Sequence, residues 1–142
     1  MGYDQWVTIT LYNNMQSSTL SIRNAKTSWG KFHKNKNKDA EISLQDINQI
    51  TLEPGHSVII NACGRANASS GTSGSIELYD GSVKIGKIYW TCPWLTHVND
   101  FGLSERDGHY RVHVGAWRIG GGAIGPVTVH VEKMCQTQFH LT

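Results

Sequence analysis

The chain has 142 residues, 39% of them hydrophobic and 17% charged, a balance that can bury a core and excludes a disordered polymer. One domain over residues 1–142 is expected at this size. A formal charge of +2 is too weak for the concentrated basic face of a nucleic-acid binder, and no apolar run approaches the ~20 residues of a membrane-spanning helix.

Alternation with a period of two, broken by clusters of Gly, Asn, Asp and Pro, marks strands with one buried and one wet face. From Gln5 to Tyr12, Val7, Ile9 and Leu11 share one face, and Trp6, Thr8, Thr10 and Tyr12 share the other. Leu20 and Ile22 suggest the next strand and Ser28 to His33 another, ahead of a loop from Lys34 to Asp39. Ser57 to Ala62 is expected to be a buried strand around Val58 and Ile60, followed by a loop over 64–74 in which Gly71-Thr72-Ser73-Gly74 is a turn. Ser75 to Tyr79 and Ser82 to Thr91 flank Asp80-Gly81, a dipeptide suited to a tight hairpin. Tyr110 to Trp117 sets Val112, Val114 and Ala116 against Arg111, His113 and Trp117, and a last strand carries Val127, Val129 and Val131 after the glycine-rich turn 120–125. Short strands at this spacing, with no crossover helix, predict an all-β fold: a single-domain antiparallel β-sandwich without repeat or linker.

The chemistry-bearing residues suggest no reaction. The three cysteines, Cys63, Cys92 and Cys135, form no C-x-x-C pair and permit one intramolecular disulfide without requiring it. The seven histidines, at 33, 56, 97, 109, 113, 130 and 140, form no ligand motif; His109 and His113 have a metal-binding spacing for a helix, but that segment reads as a strand. No nucleophile motif surrounds Ser, Cys or His, and the glycine run 120–125 lacks the Lys-Ser/Thr of a phosphate loop. Neither an enzyme, a metal nor a cofactor is expected. The start of the chain does not read as a secretory signal, Trp6 stands where a myristoylation motif wants Ser or Thr, and the sequon Asn67-Ala68-Ser69 is expected to be unused. Lys34, Lys36 and Lys38 suit either a solvated loop or a contact with anionic headgroups, and the nearby Asp39 and Glu41 favour the loop.

Five tryptophans exceed what one core of this size needs. Trp90 lies in phase with Ile88 and Cys92 and is expected inside, whereas Trp6 and Trp117 lie out of phase with their aliphatic neighbours and are expected outside. Trp94 follows Pro93 where a strand must end, on a rim or loop, and alternation does not decide Trp29. Exposed indoles suit sugar rings, on which they stack, or the membrane interface, where the ring sits among headgroups.

Longer motifs point further. Gln5-Trp6-Val7, Ser28-Trp29-Gly30-Lys31, Lys38-Asp39-Ala40-Glu41, Asn61-Ala62-Cys63-Gly64-Arg65, Gly71-Thr72-Ser73-Gly74, Tyr89-Trp90-Thr91-Cys92-Pro93-Trp94 and Gly122-Ala123-Ile124-Gly125 follow one another nearly end to end. In that order the chain resembles the aegerolysins, small β-sandwich proteins found mainly in fungi and some bacteria. Trp6-Val7-Thr8, Leu20-Ser21-Ile22 and Leu78-Tyr79-Asp80-Gly81 look like a haemolysin branch from filamentous fungi. The resemblance implies recognition of membrane sphingolipids, either sphingomyelin with cholesterol or ceramide phosphoethanolamine. It also implies, for several members, recruitment of a larger perforin-like (MACPF) partner that inserts the pore. The lipid-binding set expected here is Trp6, Trp29 and Trp94 with help from Tyr89 and Phe101. Ser70 is the expected selectivity position, since ostreolysin-type members carry a glutamate there; Phe101 stands where those members have another tryptophan. The expected localisation is secretion without a recognisable signal peptide, or cytoplasmic residence until release, and then a peripheral place on target membranes. A carbohydrate-binding module using the same tryptophans is the main rival, and a storage or developmental protein the next.

Overall fold

The computed structural model describes residues 2–94 and 98–134; Cys135, His97 and His140 lie outside the described residues. After a short 3-10 turn at Gly2–Asp4 come β1 (Trp6–Asn13), β2 (Leu20–Trp29), β3 (Lys31–Lys34) and β4 (Asn37–Ile42). The single-turn helix α1 (Leu44–Ile47) and β5 (Thr51–Leu52) lead to β6 (Ser57–Cys63), β7 (Thr72–Asp80) and β8 (Val83–Cys92). β9 (Asp100–Ser104), β10 (Tyr110–Val114) and β11 (Gly125–Lys133) complete the chain order.

Two sheets result, a six-stranded one ordered β10-β11-β1-β6-β3-β4 and a five-stranded one ordered β5-β2-β7-β8-β9. The expected all-β sandwich is therefore present. One pairing departs from the antiparallel rule: β1 runs parallel to β11, with Val7 beside Gly125 and Asn13 beside Val131. Parallel neighbours need a long connection, and here nearly the whole chain supplies it.

The alternation in β1 is realised residue by residue. Val7, Ile9 and Leu11 are buried while Trp6, Thr8, Thr10 and Tyr12 lie on the outer face. Their in-register partners Ala62 and Ile60 on β6, and Val127 and Val129 on β11, extend the same apolar layer, and Val131 beside Asn13 continues it. Ile22, Ile76, Leu78, Ile85 and Ile88 supply the opposing layer. Each such side chain contributes roughly 1.5–3 kcal/mol on leaving water. Trp90 is inside as expected, 1% exposed, edge-on to Phe32 at 5.7 Å, and its indole N–H donates to Thr72 Oγ1 at 3.2 Å.

Several expected boundaries are corrected. The strand expected over Ser28 to His33 is two strands, because Gly30 (φ +84°) turns the chain from one sheet to the other. A Cβ at Gly30 would collide with the Cys63 carbonyl oxygen, so both the angle and the close approach require glycine there. Thr72 to Gly74 belong to β7 rather than to a turn, held by pairing with Trp90, Thr91 and Cys92. Asn37 to Asp39, expected in a loop, start β4, which hairpins with β3 around Lys36 (φ +59°). β10 stops at Val114, and Ala116 is exposed. The Asp80-Gly81 hairpin forms as expected, with Gly81 at φ +59°.

Candidate functional site

One end of the sandwich collects the start of β1, the ends of β2, β6 and β8, and the loops before β7, β9 and β11. Register ties them together: Trp6, Cys63 and Lys31 form one row across β1, β6 and β3, while Trp29 pairs with Ser73 and Thr72 with Cys92. All five tryptophans lie in or next to this end.

This end carries strongly exposed apolar side chains. Ile119, Val98 and Trp29 are 62%, 69% and 54% exposed, the most exposed large hydrophobic side chains among the described residues. The first two sit on loops held together by a buried amide: Asn99 N–H donates to the Ile119 carbonyl at 2.7 Å, and its Nδ2 donates to the carbonyls of Arg118 at 3.1 Å and Gly122 at 2.9 Å. The Cys92 thiol also reaches the Gly122 carbonyl, at 3.6 Å. A glycine-rich loop that could drift is thereby fixed with Ile119 outward. Sequence reasoning missed Val98 and Ile119; the available signal was a β-branched apolar residue isolated between charged or polar neighbours and glycines.

Trp6 is half-buried and borders two concavities. On one side is a groove of about 620 Å³ lined by Tyr3, Trp6, Lys36, Lys38, Ile59 and Asn61, among others. Lys38 lies over the Trp6 ring at 5.4 Å and donates to the Tyr3 carbonyl at 2.7 Å. Lys31 covers the Tyr3 ring at 4.8 Å and donates to its hydroxyl, which in turn donates to Asp39 Oδ1 at 2.8 Å. Lys38 is thus not the freely solvated side chain expected of a loop, whereas Lys34 and Lys36 are exposed. On the other side of Trp6 is a cleft of about 560 Å³ shared with Trp117, Asp4 and Arg118.

The remaining expected site residues divide. Trp94 is half-exposed at the bend after β8, and Ser70 is half-exposed just before Gly71 at the same end. Tyr89 lies on the outer flank of the five-stranded sheet, against Gly102 on β9, away from the loop tips. Phe101 is corrected outright: it is 4% exposed, since it pairs with the inward-facing Trp90 and so shares its parity. It supports Trp117 from beneath, the rings 6.3 Å apart. Trp117, expected outside, is half-buried against the core.

The two described cysteines at this end are not activated. Burial pushes the Cys63 and Cys92 thiols up, leaving them protonated at neutral pH and poor nucleophiles. Burial pushes the His33 imidazole down, against the pull of the Lys34 carbonyl, and the Lys38 and Lys31 charges lower it further. Among the described residues, no group of three or more His, Cys, Asp or Glu is placed to hold a metal ion, and no helix is long and apolar enough to cross a membrane.

Fold and site together define a β-sandwich that presents exposed apolar side chains at a tryptophan-rich end. The aegerolysin family model matches residues 4–134, and the chain belongs to the aegerolysins. It is 54% identical to Asp-hemolysin from Aspergillus fumigatus over 132 residues, 93% of this chain and 95% of that protein. It is 35% identical to ostreolysin A6 from Pleurotus ostreatus, across 94% of this chain and 98% of that one. The solved structure of the RahU protein in complex with Tris superposes with a TM-score of 0.89 at 34% identity, covering 94% and 98% of the two chains.

Proposed function

We propose that this chain is a membrane sphingolipid-binding protein that docks by the end carrying Trp29, Val98 and Ile119, and that its lipid is ceramide phosphoethanolamine or sphingomyelin with sterol. The carrying observation is that its three most exposed large apolar side chains share one end with all the tryptophans. Isolated exposed apolar residues are ordinary on soluble proteins, but a cluster of them beside indoles is the pattern of an interfacial binder. Docking of this kind is shallow, because the apolar groups sit on loops while the backbone of the sheets stays paired. Lysis then calls for a second, perforin-like protein that inserts the pore, and the names of the haemolysin and ostreolysin relatives support a lytic setting. The chain acts peripherally on the target membrane after release from the cell.

Co-sedimentation with phosphatidylcholine vesicles, with and without ceramide phosphoethanolamine or sphingomyelin and cholesterol, tests the proposal. Wild type is expected to bind only the sphingolipid vesicles, and Trp29→Ala to bind them about tenfold more weakly. Equal binding by wild type and variant, or binding to glycans but to no vesicle, overturns it.

A further inference from the structure

The groove beside Trp6 runs onto the outer face of the six-stranded sheet, where its floor is a polar row two residues in from the row of Trp6, Cys63 and Lys31. Thr8 on β1 pairs with Asn61 on β6, and Asn61 with His33 on β3. His33 and Asn61 are only 4% and 6% exposed. Thr8 Oγ1 donates to Asn61 Oδ1 at 2.7 Å, and Asn61 Nδ2 donates to Asn35 Oδ1 at 2.8 Å, so the floor is oriented in advance of any ligand.

The row ends on an unused acceptor. His33 Nδ1–H donates to the Lys34 carbonyl at 2.8 Å, and burial keeps the imidazole neutral against the pull of the Lys34 and Asn37 carbonyls. The second ring nitrogen, Nε2, is therefore a bare lone pair. It makes no hydrogen bond among the described residues, yet it is not sealed from the groove. Buried acceptors are normally satisfied, and the partner that suits this one is a hydroxyl proton brought by a ligand in the groove.

The walls add charge and a carbon surface. Lys36 and Lys38 line the groove against one carboxylate, Asp39, whose Oδ1 already accepts from the Tyr3 hydroxyl at 2.8 Å. Glu41, the next acid along β4, is taken up by Arg65 at 2.9 and 3.2 Å. Lys36, exposed at the turn of the β3–β4 hairpin, forms no salt bridge among the described residues. Ile59 stands 44% exposed in the opposite wall. A ligand that carries an ammonium meets excess positive charge here, whereas one that carries a carboxylate meets a free ammonium. The volume of about 620 Å³ suits a small polar ring.

We propose that this groove binds an acidic sugar, a carboxylate-bearing pyranose of a glycan chain, with a ring hydroxyl on His33 Nε2, the C–H face on Ile59 and the carboxylate at Lys36. The site goes beyond the sphingolipid reading and does not rest on it: Trp29, Val98 and Ile119 are not among its lining residues. It opens on the flank of the sheet, so it stays accessible while the end of the sandwich is docked.

The test is a titration of isotope-labelled protein with methyl glucuronide and with methyl glucoside, which lacks only the carboxylate. The uronide is expected to move the amides of Asn35, Lys36 and Asn61 and the Nε2 nitrogen of His33, and to bind about tenfold more tightly than the glucoside. Lys36→Gln should bring the uronide down to the level of the glucoside and leave the glucoside unchanged, while Ile59→Ser weakens both. Both positions are exposed, so melting midpoints stay at the wild-type value. Trp29→Ala should bind the uronide as wild type does while losing sphingolipid vesicles, which separates failure of this site from failure of the docking end. A hyaluronan hexasaccharide is expected to bind, and binding only to vesicles that bear a glucuronosyl lipid overturns the glycan-chain assignment. Equal affinity for uronide and glucoside, an unmoved His33 Nε2 resonance, or no binding of either sugar overturns the site.

Discussion

The two ends of the sandwich are built alike beneath and differ on top. At the end away from the tryptophans, Asn13 is fully buried and gathers loops much as Asn99 does: its Nδ2 donates to the carbonyls of Ser18 and Leu52 at 2.8 Å each, and its Oδ1 accepts from Met15 N–H at 3.0 Å. Met15, 2% exposed, plugs that end, and Gln16, Ser17, Glu53 and His56 face water around it, together with Met134. The buried amide is therefore an architectural device common to both ends. What marks the site is the degree of apolar exposure, 69% at Val98 and 62% at Ile119 against 43% at Val83 and 40% at Met134 at the other end.

The comparison is broken most severely through its clamps. Asn13→Ala strands a buried amide N–H and two carbonyls and is expected to cost about 2–3 kcal/mol in denaturant unfolding, with lipid binding of the folded fraction unchanged. Asn99→Ala should cost a similar amount but also weaken vesicle binding, since Ile119 and Val98 lose their fixed positions. Equal effects of the two variants on binding would dissolve the distinction between the ends.

Surface substitutions sharpen it at smaller cost. Val98→Ser with Ile119→Ser is expected to weaken sphingolipid vesicle binding about tenfold without moving the melting midpoint. Val83→Ser, at an exposed apolar residue on the hairpin at the other end, should change neither.

The smallest expected effect is electrostatic. His33 on β3 has its pKa held below the ordinary 6.5 by burial, so the unfolded chain takes up a proton that the folded chain refuses. Its contribution to stability is therefore fully present above 6.5 and is lost as pH falls through the window below that value. Melting midpoints taken from about pH 7.5 down to 5.5 should fall for wild type and fall less for His33→Gln. A flat wild-type profile would contradict the burial argument.

Much of the fold could be read from alternation where strands are long and one-sided. Val7, Ile9 and Leu11, the valines of β11 and the phase of Trp90 all point where the structure puts them. The parallel pairing of β1 with β11 was not legible, since no local pattern records which distant strand lies alongside. Gly30 was missed as a crossing between sheets because Ser28 to His33 contains nothing else that breaks a strand. At the site, parity correctly set Trp6 opposite the aliphatic face but could not foresee Lys38 over its ring, and it misplaced Trp117, which follows the end of β10 and packs against the core on Phe101. Phe101 was misjudged because β9 has only five residues and its partner across the ladder, Trp90, decides its side. Val98 and Ile119 were invisible for the opposite reason: single apolar residues in polar loops look like background until a fold places them side by side.

The central claim, that one end of the sandwich meets the lipid, is tested most directly by amide resonances of the protein on nanodiscs that contain ceramide phosphoethanolamine and a trace of nitroxide-headgroup lipid. Selective broadening at Trp29, Val98 and Ile119, with Ser17, Gly81 and Ser82 spared, is the predicted result. Broadening at Ser17, Gly81 and Ser82, or along the outer sheet face at Thr10, Tyr12 and His130, would contradict it.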